Sequence, residues 1–102
     1  MKEIELIKKA IEKIISDKQF GKCFIWRSQS FSRRIRIDIF NCFDLIIYSQ
    51  YGIIYLVQIT TLTNLSARRK KILNYFGLTP PPPHSEIWAW DKNKNEFKIE
   101  KL

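Results

Sequence analysis

Acid is scarce in the middle of this chain. From residue 20 to residue 83 there are two acids, Asp38 and Asp44, against nine lysines and arginines. The flanks are nearly neutral, with five Lys and four acids in residues 1–19 and four of each in residues 84–102. The middle therefore carries +7 of the net +8. A basic segment with two isolated carboxylates suits a surface that attracts a polyanion and keeps its acids for a specific task. General solubility is the plainer reading of the same charge.

Other shortages exclude whole classes of function. Two cysteines, Cys23 and Cys42, and one histidine, His84, have no metal-ligand spacing, which disfavours zinc fingers. Three glycines make no phosphate-cradling loop, and there is no Ser/His/Asp set, so NTPases and acyl-transfer enzymes are disfavoured. No apolar run approaches the ~20 residues of a membrane span, so no membrane partner is expected. The start, Met1-Lys2-Glu3-Ile4-Glu5, alternates charged and apolar residues and does not read as a signal peptide. An intracellular, cytoplasmic protein with reduced thiols is expected.

What is present suits one folded domain of 102 residues, 45% hydrophobic and 27% charged. Ile4, Ile7, Ile11, Ile14 and Ile15 recur at helical spacing, which predicts an amphipathic helix over 2–16 with that stripe buried and Leu6 and Ala10 to one side. Cys23 to Trp26 reads as a strand. Residues 34–40 alternate strictly, with Arg34, Arg36 and Asp38 on one face. An acid-bearing strand over 43–48, a hairpin turn at Ser49-Gln50-Tyr51-Gly52 and a strand over 53–61 follow. Asn64 is a plausible N-cap and Gly77 a C-terminal stop for a helix over 65–76, with Leu65, Ile72, Leu73 and Phe76 inward. After Pro80–Pro83 come a strand at Ile87-Trp88-Ala89-Trp90 and a last strand over 97–102. This order predicts an α/β domain, a mixed central sheet flanked by helices, with a crossover from strand 53–61 through helix 65–76.

Asp44 on one strand, with Gln58 and Thr60 at i and i+2 on its hairpin partner, resembles the layout of the PD-(D/E)XK nucleases. Archaeal Holliday-junction resolvases and small phage nucleases are the nearest in layout. Glu3 or Glu5 resembles the family's helix acid, Ile25-Trp26-Arg27-Ser28 its strand ending in Arg-Ser, Asp44-Leu45-Ile46-Ile47 its Asp strand, and Gln58-Ile59-Thr60 its acid-x-Lys strand. The likeness covers residues 3–76, with 31–42 as an insertion. It implies a restriction-endonuclease-like fold and cleavage of duplex or branched DNA with Mg²⁺ or Mn²⁺.

In the family the two acids hold the metal that makes the nucleophilic hydroxide, and the lysine neutralises the transition state. Here Gln58 offers only a carbonyl oxygen and Thr60 no charge. One reading keeps the site alive, with Asp44, Gln58, Asp38 or a helix Glu on the metal and Arg69 or a nearby Lys standing in for the lysine. A second makes it an inactive DNA-binding or protein-interaction module, the latter using Trp88 and Trp90. A third makes Gln58 and Thr60 ordinary strand residues. Asp38, between Arg34 and Arg36, also suits a surface ion pair worth ~0–1 kcal/mol. Arg27, Arg33, Arg34, Arg36, Arg68, Lys70 and Lys71 are the expected phosphate contacts. So small a domain offers little surface to a duplex, which implies a homodimer.

Overall fold

The computed structural model describes residues 3–30, 36, 37, 40 and 42–102, with backbone alone at 3, 29, 30, 36 and 37. Helix α1 (Glu3–Ser16) leads to β1 (Phe24–Arg27), then the short pair β2 (Gln29–Ser30) and β3 (Arg36–Ile37). The hairpin β4 (Leu45–Tyr48) and β5 (Ile54–Thr61) follows. A 3₁₀ turn enters α2 (Leu65–Phe76), and β6 (Ser85–Asp91) and β7 (Glu96–Lys101) close the chain. The main sheet has the order β1-β4-β5-β6-β7, antiparallel throughout except at β5–β6. That parallel pair is what a crossover through α2 requires. The result is a small α/β domain whose mixed five-stranded sheet carries a helix on each face.

Alternation along β5 sorts its side chains between two cores. Tyr55, Val57 and Ile59 face α1 and join Leu45, Ile47, Trp88 and Trp90. Leu56 faces α2 with Phe43, Ile87, Ala89 and Ile72. Cys23 packs in the first core and Cys42 in the second, so the sheet separates the two sulfurs. Trp88 and Trp90 are core residues, and the module reading that needed them at the surface does not hold.

The buried stripe of α1 differs from the isoleucine count. Leu6, Ile7, Ala10 and Ile14 are buried, Ile11 only partly, while Ile4 and Ile15 are exposed. Ala10 sits at the centre because a side chain that small lets the helix backbone approach the sheet; bulk alone placed the stripe one position away. On α2, Leu65 and Ile72 are buried as expected, but Leu73 is exposed. Asn64 precedes that helix without a side-chain capping bond.

The β4–β5 hairpin is tied to the segment after α1. Gln50 donates its N–H to the Phe20 carbonyl at 2.9 Å, and its Oε1 accepts the Lys22 N–H at 2.9 Å. Gly21 lies between them at φ +61, where an added Cβ would stand 2.5 Å from Gln50 Oε1. Gly21→Ala is expected to cost about 1–3 kcal/mol through the left-handed backbone and the displaced glutamine. Urea unfolding measures it.

Candidate functional site

Asp44 and Gln58 meet. Asp44 ends the β4 side of the hairpin: its N–H donates to the Val57 carbonyl and its carbonyl accepts the Ser28 N–H, both at 2.8 Å. Its carboxylate is 1% exposed. Oδ2 accepts the Gln58 amide N–H at 2.7 Å and the Ile59 backbone N–H at 2.8 Å. The ladder between β4 and β5 has its last paired residues at Leu45 and Val57, so the carboxylate satisfies a backbone donor just beyond it. Gln58 Nε2 also donates to the Ile59 carbonyl at 3.0 Å. Both partners of that nitrogen are acceptors, which fixes the amide orientation, since a flip would set oxygen against oxygen.

The expected donor geometry therefore differs. Gln58 turns its N–H₂ group toward Asp44, where the metal reading needed its carbonyl oxygen. Thr60 shares the α2 side of β5, is buried, and stands in register with Ala89. Glu5 is exposed on α1, across the sheet from Asp44 and Gln58. The side chain of Glu3 lies outside the described residues, as do Asp38, Arg33, Arg34 and the side chain of Arg36. Among the described residues, no three of His, Cys, Asp and Glu gather around one point that could hold a metal ion. The described groups at Asp44 do not fit the Mg²⁺ or Mn²⁺ site that the nuclease resemblance implies.

Arg69 departs from expectation as well. It lies toward the sheet from α2, but Nε donates to Glu100 Oε2 at 2.6 Å and NH2 to Oε1 at 2.5 Å. Register places Gln58 beside Ile87 and Ile87 beside Glu100, so Glu100 is two strands from Gln58, about 10 Å away at ordinary strand spacing. A glutamate on the last strand, not the Gln58/Thr60 position, holds the guanidinium. The hydrogen bonds from Arg69 keep the Glu100 carboxyl below the ordinary glutamate range, against the opposing effect of burial, and the same bonds raise Arg69.

A depressed carboxyl stabilises the fold above its unfolded pKa and loses that contribution as pH falls through the lower folded value. The pair is partly exposed, which screens it. Glu100→Gln is expected to lower stability slightly at neutral pH, and the gap to the native chain should close below about pH 4, under the unfolded glutamate value. Urea midpoints across that range test it.

The cationic residues that remain lie at the surface. Arg27 is exposed at the end of β1, Lys70 and Lys71 are exposed on α2, and Arg68 is half-buried there. Arg68, Lys71 and Tyr75 follow one another at helical spacing (i, i+3, i+7) along one flank of α2, beside the buried line of Leu65 and Ile72. Sequence reasoning missed Glu86, buried on the Trp88 side of β6, where it accepts the Trp88 indole N–H at 2.9 Å. Alternation from Trp88 back to Glu86 was the available signal.

Fold and site together define a small α/β domain with a buried Asp–Gln pair at a hairpin end and a cationic outer helix. No family model matches the chain, and no curated protein or solved structure matches it.

Proposed function

We propose that this chain is a nucleic-acid-binding domain that holds duplex DNA on the outer side of α2, without cleaving it. One observation carries the reading: α2 has four cations and no acid, and with Arg69 engaged by Glu100 it leaves Arg68, Lys70 and Lys71 for an external anion. A cationic helix that long, about 18 Å, matches the reach of a helix lying in or across a DNA groove. Arg27, beside Leu45 in register, lies on the α1 side and stands apart from this surface. The concentration of +7 in residues 20–83 supports the same ligand. On this reading Asp44 and Gln58 hold the hairpin in shape and have no part in hydrolysis. The expected homodimer belongs to this proposal, since a twofold pair would present two α2 helices to one duplex. An intracellular setting is part of it too.

The test is fluorescence anisotropy of a labelled duplex titrated with the protein at several salt concentrations. Affinity should fall steeply as salt rises, the signature of counterion release. No binding at low salt would remove the proposal. A second reading, the metal-dependent cleavage implied by the nuclease resemblance, is favoured by the meeting of Asp44 and Gln58 across the hairpin. Gln58→Glu with Thr60→Lys restores the family's residue types and should produce cleavage if that reading holds.

A further inference from the structure

One helix cannot cover this sheet. Five strands at about 4.8 Å spacing span roughly 19 Å, and a helix with its side chains is about 10–12 Å across. On the α2 side, that helix packs over β5 and β6, with Ile87, Ala89, Leu56 and Phe43 beneath it. Among the described residues, α2 does not extend over the far end of β1, β4 and β5. There, register sets Phe24 beside Tyr48 and Tyr48 beside Ile54, three side chains abreast on three strands. Phe24 is 78% exposed, Tyr48 49% and Ile54 53%. Trp26, two residues along β1 on the same side, is 44% exposed. Their neighbours in sequence, Cys23, Ile25, Ile47 and Ile53, pack toward α1, which fixes the direction of the row.

Apolar residues this exposed mark a contact surface when they adjoin. Charge selects the occupant. Lys22, exposed, precedes β1 at the Phe24 end; Arg27, beside Leu45 in register, falls on the α1 side. Among the described residues from Phe20 to Asn64 the one acid is Asp44, which is buried. A second copy of this +8 chain meets repulsion there, whereas a polyanion does not. Rings on neighbouring strands stand about 5 Å apart, and those two residues apart on one strand about 7 Å. Flat rings at such spacing, open on a sheet beside a lysine and away from exposed acids, offer faces to unstacked bases.

We propose that Phe24, Trp26 and Tyr48 form a stacking platform for a single strand of nucleic acid. The inference rests on the nucleic-acid reading above and deepens it. The platform and α2 lie on the same side of the sheet, so the substrate class is DNA in which a single-stranded segment leaves a duplex. Stacking tolerates any base, so the preference is for strandedness rather than sequence.

The experiment compares a labelled thymidine twelve-mer with a blunt duplex, using the full chain, Phe24→Ala/Tyr48→Ala, Trp26→Ala and Trp26→Phe. These side chains are exposed, so the variants should melt close to the native chain. The double variant is expected to bind the twelve-mer at least tenfold more weakly, with duplex affinity within twofold of native. Trp26→Ala should weaken the twelve-mer and Trp26→Phe should restore most of the loss, since a ring is what matters. The twelve-mer should quench the emission of native protein through Trp26, because Trp88 and Trp90 are buried. Unchanged twelve-mer affinity in the double variant, with duplex binding intact, overturns the platform and leaves the duplex reading standing. A variant that turns a dimer into a monomer without changing twelve-mer affinity overturns it as well and makes the row a face between copies. Native protein that binds neither oligomer overturns both readings.

Discussion

Asp44→Ala is expected to destabilise the fold by about 3–5 kcal/mol. The change strips the acceptor from the Ile59 N–H and the Gln58 amide, both inside the protein. A buried donor left without a partner costs about 1–3 kcal/mol, and bonds to a carboxylate are at the upper end. Against a total stability of about 5–15 kcal/mol, such a loss is large. Asp44→Asn should cost less, because an amide oxygen remains for the two donors. Gln58→Ala combined with Asp44→Ala should be less damaging than the sum of the two, with a coupling of about 1–3 kcal/mol, since each change removes part of the same interaction. The outcome separates architecture from catalysis. A carboxylate kept for chemistry is often held at a cost to the fold, and its removal then stabilises. A more stable Asp44→Ala would therefore point away from a purely structural role for the carboxylate.

The second large effect is on DNA binding. Arg68→Glu with Lys71→Glu reverses two charges one turn apart on the cationic flank of α2. The inward residues Leu65 and Ile72 are untouched, so folding should persist. Duplex affinity is expected to fall by at least a hundredfold at low salt, through lost phosphate contacts and new repulsion. The slope of log affinity against log salt should shrink by about 2, since each phosphate contact contributes about 0.9. The loss should be similar for unrelated duplex sequences, because phosphate contacts carry no base information. Native affinity and slope in this variant would show that α2 is not the binding surface.

Much of the architecture was legible because it rests on local pattern. The alternation in Ile53 to Thr61, the Gly52 turn and the stop at Gly77 are signals carried by neighbours in sequence, and β5, its hairpin and α2 fall where those signals put them. The pairing of Asp44 with Gln58 was also legible, since hairpin geometry fixes which residues stand across from each other. What failed depended on long-range placement. Glu100 is 31 residues from Arg69 and reaches it only because β7 adds to the far side of β6. The inward side of α1 turned on the smallness of Ala10, which a count of isoleucines ignores. The Gln58 amide end was read as an oxygen offered to a metal, but the Asp44 carboxylate and the Ile59 carbonyl are both acceptors and turn its N–H₂ group inward. Phe24 and Trp26 alternate with the partly buried Cys23 and Ile25, but no pattern in β1 says that α2 stops short of covering them.

The most direct measurement is a nicking assay on plasmid and branched DNA with Mg²⁺ and with Mn²⁺, run at protein concentrations where binding is saturated, with Asp44→Asn as the control. A binding domain that does not cleave should leave the DNA bound but intact, with the native chain no more active than Asp44→Asn in either metal. Metal-dependent cleavage by the native chain that disappears in Asp44→Asn would contradict that role, and would make the buried carboxylate a catalytic group.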